Sequence, residues 1–119
     1  NNTILIVCGP GNNGADGITL ARLLYKKFDV KLYIPFGVKS QMAKLQLQRV
    51  KLLGLEEINF VCSCDVVIDC LFGSGLNKDL NEASIELIRR VNYLKAYKFE
   101  VALLINFGSK SLTFKRLVL

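Results

Sequence analysis

The sequence lacks histidine and tryptophan, and it has only two prolines among 119 residues. Without histidine, the side chain that titrates nearest to neutral pH is missing, so proton transfer must use carboxylates, lysine, tyrosine or bound water. The cysteines form no Cys-x-x-Cys pair, and no histidine is present to complete a zinc site with them. We therefore predict buried, reduced thiols at the four cysteines, which are Cys8, Cys62, Cys64 and Cys70.

Long apolar runs and a signal sequence are also missing. No run approaches the roughly 18 to 20 residues that span a bilayer, so we expect a soluble, cytoplasmic protein without a membrane partner. The net charge of +6 would suit an anionic partner such as a nucleotide or RNA. The lysines are scattered and no stacked-aromatic motif accompanies them, which favours a solvated surface over a nucleic-acid interface.

Apolar runs rich in β-branched residues alternate with amphipathic stretches. This rhythm predicts an α/β fold, a Rossmann-like doubly wound three-layer sandwich with a mostly parallel sheet. The predicted strands are 3–8, 30–34, 58–61, 66–69 and 99–105. The predicted helices are 16–28, a second that Ser40 caps and that runs to Leu53, and a third from Asp79 or Asn81 to Leu94. We expect one domain over 1–119, truncated at both ends, with an atypical tail at 104–119.

The stretch VCGPGNNGADG, residues 7–17, has the G-x-G-x-x-G spacing of dinucleotide-binding loops and lies between a predicted strand and a predicted helix. It differs from such loops in carrying two asparagines and Asp16, which would repel a pyrophosphate docked on the same amides. The acid that normally holds the adenosine ribose is also missing, because the second strand ends in Tyr33-Ile34-Pro35. A dehydrogenase-type cofactor domain is thus disfavoured, while simple helix capping by Asn12, Asn13 and Asp16 stays open.

Asp69 closes the apolar strand in DVVIDCLFGSG, residues 65–75. A carboxylate in such a position is costly to bury unless it is paired, hydrogen-bonded or bound to a cation. Together with Asn13 it offers the hard oxygen ligands that suit an alkali or alkaline-earth cation. The alternative is that Asp69 accepts hydrogen bonds from amides of its own turn.

GPGNNGADG followed by DVVIDCLFGSGL closely resembles the NAD(P)HX epimerase family, also called the YjeF amino-terminal domain. The resemblance covers about residues 3–98 and implies epimerisation of the R and S forms of hydrated NADH and NADPH. It implies catalytic roles for Asp16 and Asp69, and potassium binding by Asn13 and Asp69. The implied substrate-binding residues are Asn12, Asn13, Gly14, Ala15 and Asp16 in the first loop and Gly73, Ser74, Gly75, Leu76, Asn77, Lys78 and Asp79 in the second. A dehydratase domain or protein is the implied functional partner, and homodimerisation stays open.

The sequence departs from the family where the next strand should read Val-Ala-Leu-Asp-Ile-Pro-Ser-Gly. Residues 101–108 read VALLINFG, so Leu104 replaces the aspartate and Phe107 the serine. Either a shifted reading frame after about Leu103 or residues missing from the sequence would produce this ending. Because leucine cannot exchange a proton, the alternative function is a non-catalytic nucleotide- or RNA-binding module on the same fold.

Overall fold

The computed structural model describes residues 2–59 and 64–71 in full and the backbone alone of two later strands. Two helices and six strands are described. In chain order they are β1 (Thr3–Cys8), α1 (Asn12–Leu24), β2 (Asp29–Tyr33), α2 (Gln41–Leu52), β3 (Glu56–Ile58), β4 (Val66–Cys70), β5 (Val101–Asn106) and β6 (Thr113–Val118). Among the fully described residues, no helix is both long and apolar enough to cross a membrane.

The strands form one sheet in the order β3-β2-β1-β4-β5-β6. Strands β1 to β5 run parallel, and β6 pairs with β5 in the antiparallel direction. The α/β, Rossmann-like fold with a mostly parallel sheet is therefore confirmed. The chain winds outward from β1 through β2 to β3 and then returns to the other side of β1, so the strand order reverses between β1 and β4. In open α/β sheets, the crevice at the carboxyl ends of the strands at this point is where ligands bind.

The helices α1 and α2 pack against each other and lie on the same face of the sheet, because right-handed crossovers in one direction place successive helices on one side. Their core contains Ile18 and Ala21 from α1 and Val50 from α2, all almost fully buried. These side chains pack on alternate residues of the central strands, including Ile4, Ile6, Cys8, Ile68 and Cys70. The predicted third helix, ending at Leu94, lies outside the described residues.

Helix α2 follows its sequence signals closely. The Ser40 hydroxyl accepts a hydrogen bond from the amide of Ala43 at 3.0 Å, and Gly54 follows the helix with a φ of +76° that favours glycine. Ala43 and Val50 are buried as predicted, and Leu47 is half-buried. Gln46 is also buried, which the apolar pattern does not indicate.

The predicted bounds of α1, 16–28, are wrong at both ends. The helix begins at Asn12 because Gly11, in an extended conformation with φ −98°, serves as its N-cap. It ends at Leu24, whose carbonyl accepts from the amides of Lys27 and Phe28 at 3.0 and 3.1 Å in a tight turn. This turn brings the chain to the start of β2, which is at Asp29 and not at Val30.

The other errors concern strands whose position is set by their neighbours. Strand β3 was expected at 58–61 but lies at Glu56–Ile58, where Glu56 is in register with Lys31 and accepts from its ammonium group at 2.6 Å. Strands β4 and β5 extend one residue further than expected, to Cys70 and Asn106. Strand β6, which lies in the tail, was not predicted at all.

Glycine permits an unusually close approach of α1 to the sheet. A Cβ on Gly17 would lie 2.8 Å from the Cβ of Cys70 and 2.9 Å from the sulfurs of both Cys70 and Cys8. A Cβ on Gly14 would overlap the backbone carbonyl of Gly9. At Gly11, by contrast, no described atom lies within 4 Å of such a Cβ. Glycine is therefore required for packing at Gly14 and Gly17, but not at Gly11.

We predict that Gly17→Ala lowers the free energy of unfolding by about 1–3 kcal/mol, as other overpacked cores do, although alanine favours a helix. Thermal unfolding of the variant measures this loss. Gly11→Thr is the matched control, because threonine is accepted as an N-cap and its side chain would point into open space. A melting temperature of Gly17→Ala equal to that of the wild type would show that α1 does not need this close contact.

Candidate functional site at the β1–β4 switch point

Two loops meet where the strand order reverses. The amide of Gly9, which follows β1, donates to the carbonyl of Cys70 at the end of β4 at 3.1 Å. The backbones are so close here that a Cβ on Gly9 would overlap the carbonyl of Leu71. The loop after β1 and the start of the loop after β4 therefore form one surface at the carboxyl edge of the sheet.

The first turn of α1 lies over this surface. Asn13 is 7% exposed, and Gly14 is buried as well. Asn13 lies one helical turn before Gly17, which touches the ends of β1 and β4, so both residues face the sheet. The N-cap position belongs to Gly11, and Asn12, Asn13 and Asp16 lie inside the helix. The interpretation that these three residues serve as its N-cap is therefore wrong.

Asp69 is the buried acid of the site, with 5% of its surface exposed. Its Oδ1 accepts from the amide of Leu71 at 3.0 Å, so the hydrogen bond to its own turn that the sequence left as an alternative is present. This bond holds the chain as it leaves β4 and fixes the carboxylate at the carboxyl edge.

Asp16 is exposed, on the turn of α1 above Asn13. Partial burial raises its pKa from the ordinary value. Asp16 and Asp69 both influence the thiol of Cys70. The pKa of this thiol is raised mainly by burial and further by the negative charges of Asp69 and Asp16. Both carboxylates thus lie within electrostatic reach of one thiol at the switch point.

The two thiols behind the site are inert. Burial is the main cause of the raised pKa of Cys8, with the nearby Cys70 and Asp69 adding to it. Cys8 and Cys70 are buried as predicted, whereas Cys64 is half-buried. Because a thiol must ionise to act as a nucleophile or metal ligand, neither Cys8 nor Cys70 is a candidate for the chemistry of this site.

The remaining predicted site residues divide into two groups. In the first loop, Asn12 is exposed and Ala15 is 3% exposed. The second loop, from Gly73 to Asp79, lies outside the described residues, as does Cys62. The substrate and metal roles of all these residues stay predictions.

The sequence did not reveal a third loop at this edge. The carbonyl of Pro10 accepts from the amides of Lys39 and Ser40, at 2.9 and 3.0 Å. The loop between β2 and α2 is thereby attached to the glycine loop. Backbone hydrogen bonds between residues about thirty positions apart have no sequence motif, although Pro35 and Gly37 do mark a turn there.

Two other acids of the described residues, Asp65 and Asp29, lie at the opposite edge of the sheet. Asp65 precedes β4 and accepts from the amide of Thr3 at 2.8 Å. Asp29 begins β2 and accepts from the Thr3 hydroxyl at 3.1 Å. Asp29 is therefore at the end of β2 away from the crevice, as expected, and cannot serve as the ribose-binding acid of a dehydrogenase.

The donor set at the switch point suits a hard cation better than a soft one. Asn13 and Asp69 supply amide and carboxylate oxygens, the ligand types that alkali and alkaline-earth ions prefer. In the fully described part of the chain, no group of three or more cysteine, aspartate or glutamate side chains is placed to hold a metal ion.

A family model described as YjeF-related protein N-terminus matches residues 1–103. The chain belongs to this family. The match covers the glycine loop and β4 and stops directly before Leu104.

Curated relatives are named for NAD(P)H-hydrate epimerisation or repair. The chain is 39% identical over 98 residues to the NAD(P)H-hydrate epimerase of Leuconostoc citreum, and the alignment covers 77% of this chain and 44% of that protein. It is 41% identical over 78 residues to the bifunctional NAD(P)H-hydrate repair enzyme Nnr of Helicobacter pylori, with 60% of this chain and 17% of that protein. The chain therefore spans less than half the length of these relatives.

A solved structure supports the fold. The crystal structure of yeast ynu0, YNL200c, superposes with a TM-score of 0.63 and covers 79% of this chain and 44% of that one. The identity is 16%, so this comparison concerns the arrangement of the helices and strands alone.

We predict that Asp16→Asn does not destabilise the protein at pH 7. With its pKa raised in the folded state, Asp16 contributes stability below its unfolded pKa, and this contribution is lost as the pH rises through the folded pKa. At neutral pH the charged form is thus a small penalty, which asparagine removes. Thermal unfolding between pH 3 and pH 8 tests this, and a marked fall in melting temperature at pH 7 would contradict it.

Asp65→Asn is the control for this variant. Asp65 is also exposed, but it accepts the Thr3 amide at the opposite edge of the sheet. Its replacement is expected to cost about 1 kcal/mol or less and to leave activity unchanged.

Proposed function

We propose that the protein interconverts the R and S forms of hydrated NADH and NADPH. The single observation that carries this proposal is the match of residues 1–103 to the family. The names of the relatives, NAD(P)H-hydrate epimerase and bifunctional NAD(P)H-hydrate repair enzyme, give the reaction and the substrate. The site supports it with one buried and one exposed carboxylate beside a helix amino terminus, at the crevice where this fold binds ligands.

The reaction requires the hydroxyl-bearing carbon of the hydrated nicotinamide ring to lose and regain water. A protonated group first donates a proton to the hydroxyl, the carbon–oxygen bond breaks, and the ring nitrogen stabilises the resulting cation. Water then adds to the opposite face of the ring and returns a proton to the protein. One group that exchanges a proton with the substrate in both directions is sufficient for this cycle.

Asp16 suits the role of proton donor and acceptor. It is exposed to a ligand in the crevice, and its raised pKa increases the fraction that carries a proton near neutral pH. Asp69 suits a positioning role, since its Oδ1 is already engaged by the amide of Leu71. Its second oxygen and the Asn13 amide would hold the potassium ion, which would supply positive charge to the buried carboxylate and connect α1 with β4.

The bifunctional relatives motivate a partner. They are named as bifunctional NAD(P)H-hydrate repair enzymes, and the alignments with this chain cover 20% and 17% of their length. A dehydratase that consumes one epimer, in the same polypeptide or as a separate protein, would complete the repair that epimerisation begins.

The decisive experiment supplies one pure epimer of hydrated NADH to the full chain and follows the other by chromatography. We expect conversion by the wild type, and we expect Asp69→Asn to lower the rate by about a hundredfold and to weaken binding of both potassium and nucleotide. Asp65→Asn serves as the control. Unchanged rate and binding in Asp69→Asn would contradict the proposed site.

Leu104 favours a specific second outcome, because it is in register with Asp69 on the neighbouring strand and is the position at which the family has an acid. Nucleotide binding by the wild type without any conversion would favour the non-catalytic module. Turnover gained by Leu104→Asp would then show that the missing carboxylate is the reason.

Gly11→Thr separates ligand binding from folding. Gly11 is exposed, its φ of −98° is open to any residue, and no described atom would touch an added Cβ. Its glycine is best explained by a ligand that approaches the backbone at the start of α1. We therefore expect Gly11→Thr to keep its melting temperature while its affinity for the hydrated nucleotide falls at least tenfold; a retained affinity would place the ligand elsewhere.

A further inference from the structure

The turn between β2 and α2 exposes an aromatic ring at the carboxyl edge. The amide of Gly37 donates to the carbonyl of Ile34 at 3.3 Å, and Gly37 has a φ of +69°. Phe36 lies between Pro35 and Gly37 within this turn and is 53% exposed. Ile34 and Val38 on either side belong to the core, so Phe36 is the large apolar side chain of the turn that the fold leaves in solvent.

Backbone hydrogen bonds connect this turn to the glycine loop. The amides of Lys39 and Ser40 both donate to the carbonyl of Pro10, at 2.9 and 3.0 Å. Ser40 in turn caps α2. The backbone of Lys39 is therefore one hydrogen bond from the loop at which the ligand binds, and its exposed side chain is long enough to reach a group bound beside that loop.

We propose that this turn binds the adenosine half of the dinucleotide, with Phe36 stacking on the adenine and Lys39 binding the 2′-phosphate, so that the phosphorylated nucleotide is preferred. The inference rests on the proposed function in one respect. Because Asp69 lies at the end of β4, the proposed function places the hydrated ring on the β4 side of the switch point. Because α1 begins at Asn12, Asp16 lies beyond the first helical turn and does not oppose an anion at the backbone of Gly11, contrary to the expectation from the sequence. A dinucleotide whose pyrophosphate lies at Gly11 must then extend its other half toward β2.

The charges around the turn favour the 2′-phosphate. Folds of this kind that select the unphosphorylated cofactor place an acid at the end of β2, where it binds the ribose hydroxyl and repels a phosphate. Here β2 ends in Tyr33, followed by Ile34 and Pro35. Lys39 supplies a positive charge in the same loop, which would attract the 2′-phosphate. Phe36 can stack on the adenine of either nucleotide, because stacking does not depend on the phosphate.

ADP-ribose and 2′-phospho-ADP-ribose serve as probes, because they contain the adenosine half and lack the hydrated ring. Calorimetric titration of the full chain is expected to show tighter binding of the phosphorylated probe. Phe36→Ala should weaken both probes by about tenfold, while Phe36→Tyr retains both affinities. Lys39→Gln should weaken the phosphorylated probe alone, by about fivefold, and this difference should shrink at high salt.

Two residues at the far end of α2 provide matched controls. Leu52→Ala removes an apolar side chain that is 85% exposed, and Lys51→Gln removes an exposed lysine. Neither should change the affinity for a probe. Because all four positions are exposed, every variant should keep the wild-type melting temperature.

Equal wild-type affinities for the two probes would overturn the assignment of Lys39, and unchanged binding by Phe36→Ala would overturn the stacking. Binding of neither probe would overturn the inference as a whole. A chain that binds both probes as expected but does not epimerise hydrated NADH would count against the proposed reaction alone.

Discussion

The backbone contact between α1 and the ends of β1 and β4 is the constraint on which the site depends. It exists because three positions lack a Cβ, with Gly9 against Leu71, Gly14 against Gly9, and Gly17 against the thiols of the two strands. A side chain at Gly14 or Gly17 would lift the helix from the sheet, and one at Gly9 would push apart the loops that follow β1 and β4. The first turn of α1 would then no longer cover Asp69, and the acids of the helix and the strand would no longer share a crevice.

The same contact explains the unusual electrostatics of the region. A helix that lies this close removes water from Asn13, Asp69, Cys8 and Cys70, all of which are less than 9% exposed. Burial of an acid is tolerated only where hydrogen bonds or a cation compensate it, and the Leu71 amide supplies part of that compensation.

Local patterns were sufficient to predict part of the fold. Strand β1 matched its predicted bounds because a run that is apolar on both faces marks a central parallel strand, and α2 matched because Ser40 and Gly54 supply both of its ends. The start of α1 was missed because its N-cap, Gly11, has no side chain to signal a cap. The position of β3 depends on its register with β2 and on the Lys31–Glu56 pair, which only the folded sheet brings together.

The candidate site was predictable to a similar degree. Asp69 at the end of a strand and the polar residues after the glycine loop could be placed at one edge, because the carboxyl ends of parallel strands share an edge. The burial of Asn13 could not be predicted, because it depends on how closely α1 packs on the sheet. The attachment of Lys39 and Ser40 to Pro10 is likewise a long-range backbone contact without a pattern in the sequence.

The acids at the amino edge of the sheet have structural roles, whereas those at the carboxyl edge lie where a ligand would bind. Asp29 and Asp65, at the amino edge, accept hydrogen bonds from Thr3 and so complete the ends of the sheet in solvent. Asp69 lies at the carboxyl edge, and its register neighbour on β5 is Leu104. A leucine at that position spares Asp69 the repulsion of a second nearby carboxylate, but it also offers no group for proton exchange. In the proposed reaction, proton transfer therefore depends on Asp16, the acid that α1 contributes.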